Sequence, residues 1–136
     1  MMTFEKYLSA NDTGQSGSHQ SGILVPKKEV KLLEFFPCLQ GGMKNPDAML
    51  DCQDEDGTWW KFRYIYYNNR FHDLKGTRNE YRITRITKYL RLWGAKSGDT
   101  LQFTQRNDGG YDIKLCKKPS GEYLQTIKLA GWRQVH

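Results

Sequence analysis

The chain has 136 residues, 38% of them hydrophobic and 13% aromatic, with a formal net charge of +6 and a pI near 9.2. That length holds one domain with a real core and crowds two, and nothing in it approaches the roughly 18 consecutive apolar residues of a membrane span. Met1–Leu8 has no cationic run followed by an apolar segment, so no secretory signal is expected and the cytoplasm is the expected compartment.

In chain order, residues 9–22 (SANDTGQSGSHQSG) are small and polar, with no large apolar residue to pack into a core, and read as a polar arm. Ile23–Pro26 with its preceding glycine reads as a short buried strand. Pro26 is expected at the first position of a helix whose apolar face is Val30, Leu32, Leu33 and Phe36, and Pro37 stops it. A loop over 38–47 leads to two strands, AMLDCQD and TWWKFRYIYYN, about a turn at Glu55-Asp56-Gly57. TRNEYRITRI reads as extended, and TKYLRLWGA as a short helix or turn. TLQFTQRN and YDIKLCKK form a hairpin about Asp108-Gly109-Gly110, and GEYLQTIKL supplies a last strand. Six or seven short strands with one or two short helices predict a mainly β chain closed as a barrel or sandwich.

Cys38, Cys52 and Cys116 are odd in number and lack C-x-x-C pairing, so buried reduced thiols are expected, with no disulfide framework and no zinc site. No metal or cofactor is needed.

The basic charge suits a polyanionic partner, and its distribution is more telling than its size. Residues 75–96 hold Lys75, Arg78, Arg82, Arg85, Lys88, Arg91 and Lys96 against one acid, Glu80. Phosphate contacts require such cations, although a solvated strand face would have the same composition. On an extended chain Arg78, Glu80 and Arg82 share a face. A carboxylate there repels phosphate, but it can accept from a cytosine amino group while a neighbouring arginine reads guanine O6 and N7. An intramolecular salt bridge that only orients the arginines would produce the same pattern. In the polar arm, Asn11, Asp12, Thr13, Gln15, Ser16, Ser18, His19 and Gln20 offer donors and acceptors on a pliable backbone; their spacing is not that of a P-loop.

Two segments carry a family resemblance. The first is Leu8-Ser9-Ala10-Asn11-Asp12-Thr13-Gly14, continuing through Gly17, His19-Gln20 and Gly22 to Pro26. The second is Ile65-Tyr66-Tyr67-Asn68, Arg70, Thr77-Arg78-Asn79-Glu80 and Arg82-Ile83-Thr84-Arg85. Together they resemble the effector-binding N-terminal domain of EcoRII-like restriction endonucleases, and Trp93-Gly94 with Lys96-Ser97-Gly98-Asp99 resembles the Gly-Asp turn of B3 DNA-binding domains. The resemblance implies a seven-stranded open B3-like pseudobarrel and two arms that grip double-stranded DNA from the major groove. The N-terminal arm would lie within residues 9–22 and a basic C-terminal arm at about 75–93. It further implies a bacterial restriction enzyme, a CC(A/T)GG target and a nuclease domain elsewhere in the parent chain. Gly76 stands where the relative has lysine, Tyr81 where it has a basic residue, and the loop from Tyr67 to Lys75 is longer.

The resulting expectation is one DNA-binding domain over residues 1–136 without catalytic residues of its own. Arg78, Glu80, Arg82 and His19 are assigned to bases; Lys75, Arg85, Lys88 and Arg91 to phosphate; Thr77, Asn79 and Tyr81 complete the C-terminal arm. Two alternatives stand beside it. One is a minimal magnesium-dependent nuclease using Asp47 and Asp112. The other is a non-enzymatic module that binds protein or single-stranded RNA through its aromatics.

Overall fold

The computed structural model describes residues 2–14, 22–118 and 131–136. The strands are β1 (Thr3–Tyr7), β2 (Ile23–Val25), β3 (Asp47–Gln53), β4 (Trp59–Tyr67), β5 (Glu80–Thr84), β6 (Thr100–Gln105), β7 (Tyr111–Cys116) and β8 (Trp132–Val135). Three short helices interrupt them: α1 (Ala10–Thr13), α2 (Val30–Phe35) and α3 (Thr87–Leu92). All eight strands join in one sheet, ordered β2-β5-β4-β3-β7-β6-β1-β8. The pairings within β2-β5-β4-β3 and within β7-β6-β1-β8 are antiparallel. A short parallel contact, Cys52 beside Tyr111 and Gln53 beside Asp112, joins these halves.

The sheet curls until its edge strands meet. The Trp132 indole N–H on β8 donates to the Leu24 carbonyl on β2 at 2.8 Å, a side-chain bond spanning the seam. This is the open pseudobarrel, with eight strands rather than seven among the described residues. β1 and β8 were not foreseen because their sequences hide them. In β1 the alternation is broken by buried Glu5 and Lys6. Glu5 accepts from Gln102 at 3.0 Å and from Arg133, while Lys6 pairs with Asp12 at 3.0 Å, so both polar heads are satisfied inside. The expected strand GEYLQTIKL lies outside the described residues.

The barrel is filled mainly by aromatic and aliphatic side chains, among them Phe4, Phe35, Phe36, Phe62, Tyr64, Tyr89, Phe103 and Tyr111. The Tyr111 hydroxyl donates to the Phe35 carbonyl at 2.7 Å, fixing α2 over β7. The helix itself departs from expectation. It begins at Val30 with Glu29 as its cap, and Pro26 belongs to the preceding turn, its carbonyl accepting the Glu29 N–H. Val30 is 64% exposed, and the buried positions are Leu32, Phe35 and, just beyond the helix, Phe36. Of the cysteines, Cys52 is buried, and its thiol is pushed up by that burial; Cys38 is exposed, against expectation, and Cys116 lies between. No helix among the described residues is long and apolar enough to cross a membrane.

Candidate nucleic-acid interface

The basic segment is built from a tight loop, strand β5 and helix α3. Along β5, alternation puts Glu80 and Arg82 on one side, and Arg78 joins them from the preceding turn. Glu80 accepts from Arg78 Nε at 3.0 Å through one carboxylate oxygen and from Arg82 Nε at 2.7 Å through the other. Burial works to raise the Glu80 carboxyl, but the hydrogen bonds from Arg82 and Arg78 outweigh it and hold the group below the usual carboxylate range. The salt bridge left open by the sequence is therefore present, and Arg82 Nη1 also donates to the Gly22 carbonyl at 3.4 Å.

An aromatic footing supports this triad. Tyr67 lies opposite Glu80 in the β4–β5 register, and the Arg78 guanidinium sits 3.6 Å above the Tyr67 ring centroid. Tyr66 stacks on Tyr81 with centroids 4.3 Å apart, and its hydroxyl donates to Asn79 Oδ1 at 2.6 Å. Tyr81 thus belongs to the support of the arm, as does Asn79, whose carbonyl also accepts from Lys27 at 3.3 Å. Before them, Asn69 accepts the Arg78 N–H at 2.8 Å, and Thr77 and Lys75 are exposed.

After β5 the chain turns sharply at Arg85, which adopts a left-handed φ of 61° and is exposed. Lys88 and Arg91 follow on the exposed side of α3, whose Tyr89 and Leu90 face the core. Among the described residues no carboxylate pairs with Lys75, Arg85, Lys88 or Arg91. Beyond the helix, the Lys96–Asp99 turn is structural. Asp99 is buried and accepts from Lys96 N at 2.8 Å, Lys118 N at 2.9 Å and Lys117 Nζ at 2.7 Å, which together outweigh burial and depress its carboxyl.

The polar arm is anchored at both ends beside this segment. Its start is helix α1, which packs near α3; Ser9 and Asp12 form a reciprocal capping box. Asp12 is buried, and its carboxylate accepts from Ser9 N at 2.9 Å and Lys6 Nζ at 3.0 Å. Asn11 is exposed and Thr13 half-buried at the helix end. The arm returns at Gly22, where φ is +92° and a Cβ would lie 2.3 Å from the Ile83 carbonyl oxygen. Only glycine fits there. Gln15, Ser16, Ser18, His19 and Gln20 lie outside the described residues.

Other candidate chemistry is not assembled. Asp112 pairs in register with Gln53, whereas Asp47 is at the far end of β3, about 20 Å away at strand rise. Each is held by an arginine, Asp47 by Arg63 and Asp112 by Arg106, both at 2.6 Å. The magnesium pair is thereby overturned, and among the described residues no group of three or more His, Cys, Asp or Glu could hold a metal ion. Most described aromatics fill the core, while the exposed Trp59 and Phe71 sit on a separate strand and loop, so among the described residues they form no continuous stacking platform. The residues missed from the sequence are Tyr66, Tyr67, Lys6 and Gly22. The tyrosines stood in the resembling segment Ile65-Tyr66-Tyr67-Asn68 and at the end of a strand, but neither signal gave them a place beneath Arg78.

The fold is that of a B3-like pseudobarrel, with the Arg78–Glu80–Arg82 cluster carried on β5 and the turn before it. Residues 1–115 match the family "Restriction endonuclease EcoRII, N-terminal", and the chain belongs to that family. It is 44% identical over 119 residues to the type II restriction enzyme EcoRII of Escherichia coli, covering 80% of this chain and 27% of that enzyme. It is 28% identical over 130 residues to a B3 domain-containing protein of Oryza sativa subsp. japonica, covering 93% of this chain and 39% of the other. The chain therefore spans well under half the length of these relatives. Among solved structures, the Arabidopsis FUS3–DNA complex shares the fold, with a TM-score of 0.65 at 22% identity, covering 88% of this chain and 100% of that one. The UbaLAI restriction endonuclease B3 domain with cognate DNA has a TM-score of 0.55 at 25% identity, covering 88% and 70% respectively.

Proposed function

We propose that residues 1–136 act as one sequence-specific reader of double-stranded DNA. The chain would serve as the effector or targeting domain of a restriction endonuclease whose cytoplasmic parent chain carries a separate nuclease domain. The observation that carries this reading is Glu80 held between Arg78 and Arg82 beside the exposed cations Lys75, Arg85, Lys88 and Arg91. A surface that bound only phosphate would gain nothing from an ionised carboxylate at its centre. Here the carboxylate fixes two guanidinium groups and keeps acceptor capacity for a cytosine amino group, while the arginines reach guanine O6 and N7. Lys75, Arg85, Lys88 and Arg91 then take phosphates, and Thr77 flanks them.

Asn11, Thr13, Gln15, Ser16, Ser18, His19 and Gln20 would meet the duplex from the other arm. Asp12 is better placed to position that arm, since its carboxylate already holds Ser9 and Lys6. No cofactor and no catalytic step are assigned to the chain.

A salt-controlled titration against duplexes containing CCTGG, a single-base variant and a scramble tests the reading. A loss of about 1–3 kcal/mol on the variant supports base readout. Equal, salt-sensitive binding to all three would reduce the site to a phosphate-binding surface.

A further inference from the structure

The loop between β4 and β5 holds two large apolar side chains in water, Phe71 at 63% exposure and Leu74 at 107%. The backbone gives them little freedom to retreat. Asn68 is buried and donates from Nδ2 to the carbonyls of Gly41 and Met43, clamping the loop to its neighbour. Asn69 accepts the His72 and Asp73 N–H groups through its carbonyl and the Arg78 N–H through its side chain. Gly76 closes the turn so tightly that a Cβ would lie 2.1 Å from the Asn69 oxygen. The tip is thus a fixed presentation of Phe71 and Leu74, at a cost in exposed apolar surface that folding alone does not explain.

The neighbours of the tip indicate its occupant. Arg70 and Lys75 bracket the two apolar residues and are exposed, and no carboxylate among the described residues pairs with them. The one acid in the loop, Asp73, is neutralised by Lys44 at 2.7 Å. Cations interleaved with exposed apolar groups suit a nucleic acid, which offers phosphates beside deoxyribose and thymine methyl groups. The centre of a protein interface is depleted of charge. The tip also runs without a break into Arg78 and Glu80, whose carboxylate pairing fixes where the bases would lie.

We infer that this loop is a second contact on the same duplex, outside the base pairs read by Arg78, Glu80 and Arg82. Leu74 and Phe71 pack on thymine methyl and deoxyribose groups of the flank, and Arg70 and Lys75 take the flanking phosphates. The inference rests on the DNA reading above and adds a preference for flanking sequence that the central triad cannot supply.

The test uses the full chain and duplexes sharing one bound core. In one set the flanks are rich in thymine; in the other every flanking thymine is replaced by deoxyuridine, which removes only the C5 methyl. Wild type is expected to bind the deoxyuridine set about fourfold more weakly per methyl buried. Leu74→Ser and Phe71→Ser should bind the thymine set less tightly and cease to distinguish the two sets, with discrimination against a core variant unchanged. An unaltered melting temperature of Leu74→Ser, expected for so exposed a residue, excludes misfolding as the cause. Equal binding of wild type and both variants to both sets overturns the inference while the DNA reading stands. Failure of wild type to bind any duplex overturns both. Loss of self-association in Leu74→Ser with unchanged DNA affinity would make the tip a protein contact and overturn the inference as well.

Discussion

Arg82 and Gly22 are joined across the two arms: Arg82 Nη1 donates to the Gly22 carbonyl at 3.4 Å while its Nε holds Glu80 at 2.7 Å. One planar guanidinium therefore sets the Glu80 carboxylate and touches the root of the polar arm. An ammonium group is a point charge and cannot keep both directions. Arg82→Lys should lose about 1–3 kcal/mol of discrimination at one C·G pair, yet keep its salt slope because the charge count is unchanged. Parallel titrations of cognate and single-base variant duplexes at several salt concentrations check this; an unchanged specificity ratio would remove Arg82 from the reading site.

Glu80→Ala separates specificity from affinity. It deletes the sole acid of the triad and leaves two cations facing the duplex, so binding to scrambled DNA should strengthen while cognate preference falls. If cognate and scrambled affinities fall together, Glu80 is only a brace for the arginines.

Lys88→Ala and Arg91→Ala remove exposed charges from α3. Each should weaken all sequences alike and lower the magnitude of the salt slope by about one. A sequence-selective effect of either would move α3 into a groove.

Acid stability follows from Asp99. Its folded carboxyl is depressed by Lys117 and by the backbone N–H groups of Lys118 and Lys96, against the opposing effect of burial. A depressed folded value means that the ionised form stabilises the fold above the unfolded carboxyl value. That contribution is lost as pH falls through the folded value. The melting temperature should stay nearly flat from neutral pH to about pH 5 and drop below about pH 4. Asp99→Asn should melt lower at neutral pH and show a shallower acid drop. Parallel pH profiles of the two proteins would weaken the assignment.

The seam bond is also open to measurement. Trp132→Phe keeps the ring stacked on Phe103 but deletes the donor to Leu24. A loss of about 1 kcal/mol in denaturant unfolding is expected, with faster amide exchange in β2 than in β4. Uniform exchange changes would mean that the seam is held elsewhere.

Periodicity made most of the barrel legible. The strongly apolar β4 and the β6–β7 hairpin carry their patterns openly, and the basic run exposed the β5 site. Strands β1 and β8 were hidden because Glu5 meets its partners Gln102 and Arg133 only once strands distant in sequence are brought together. Asp12 was read as an arm residue, and its polar surroundings in sequence gave no sign of burial or of a partner at Lys6. The tyrosine footing under Arg78 was invisible for a different reason. Tyr66 and Tyr67 read as strand residues, and only the β4–β5 register places them beneath the arm.

The central position of β1 between β6 and β8 has a consequence for how the chain acquires its shape. Thr3 faces Thr104 and Val135, so β1 cannot pair until strands far downstream in the chain are available. Closing such a long loop costs entropy before any contact repays it, and topologies of this kind fold in about milliseconds to seconds. Because α1 hangs from β1 through Lys6 and Asp12, the root of the N-terminal arm depends on that long-range pairing. A chain without that pairing therefore carries its basic side chains while the polar arm beside them still lacks its root.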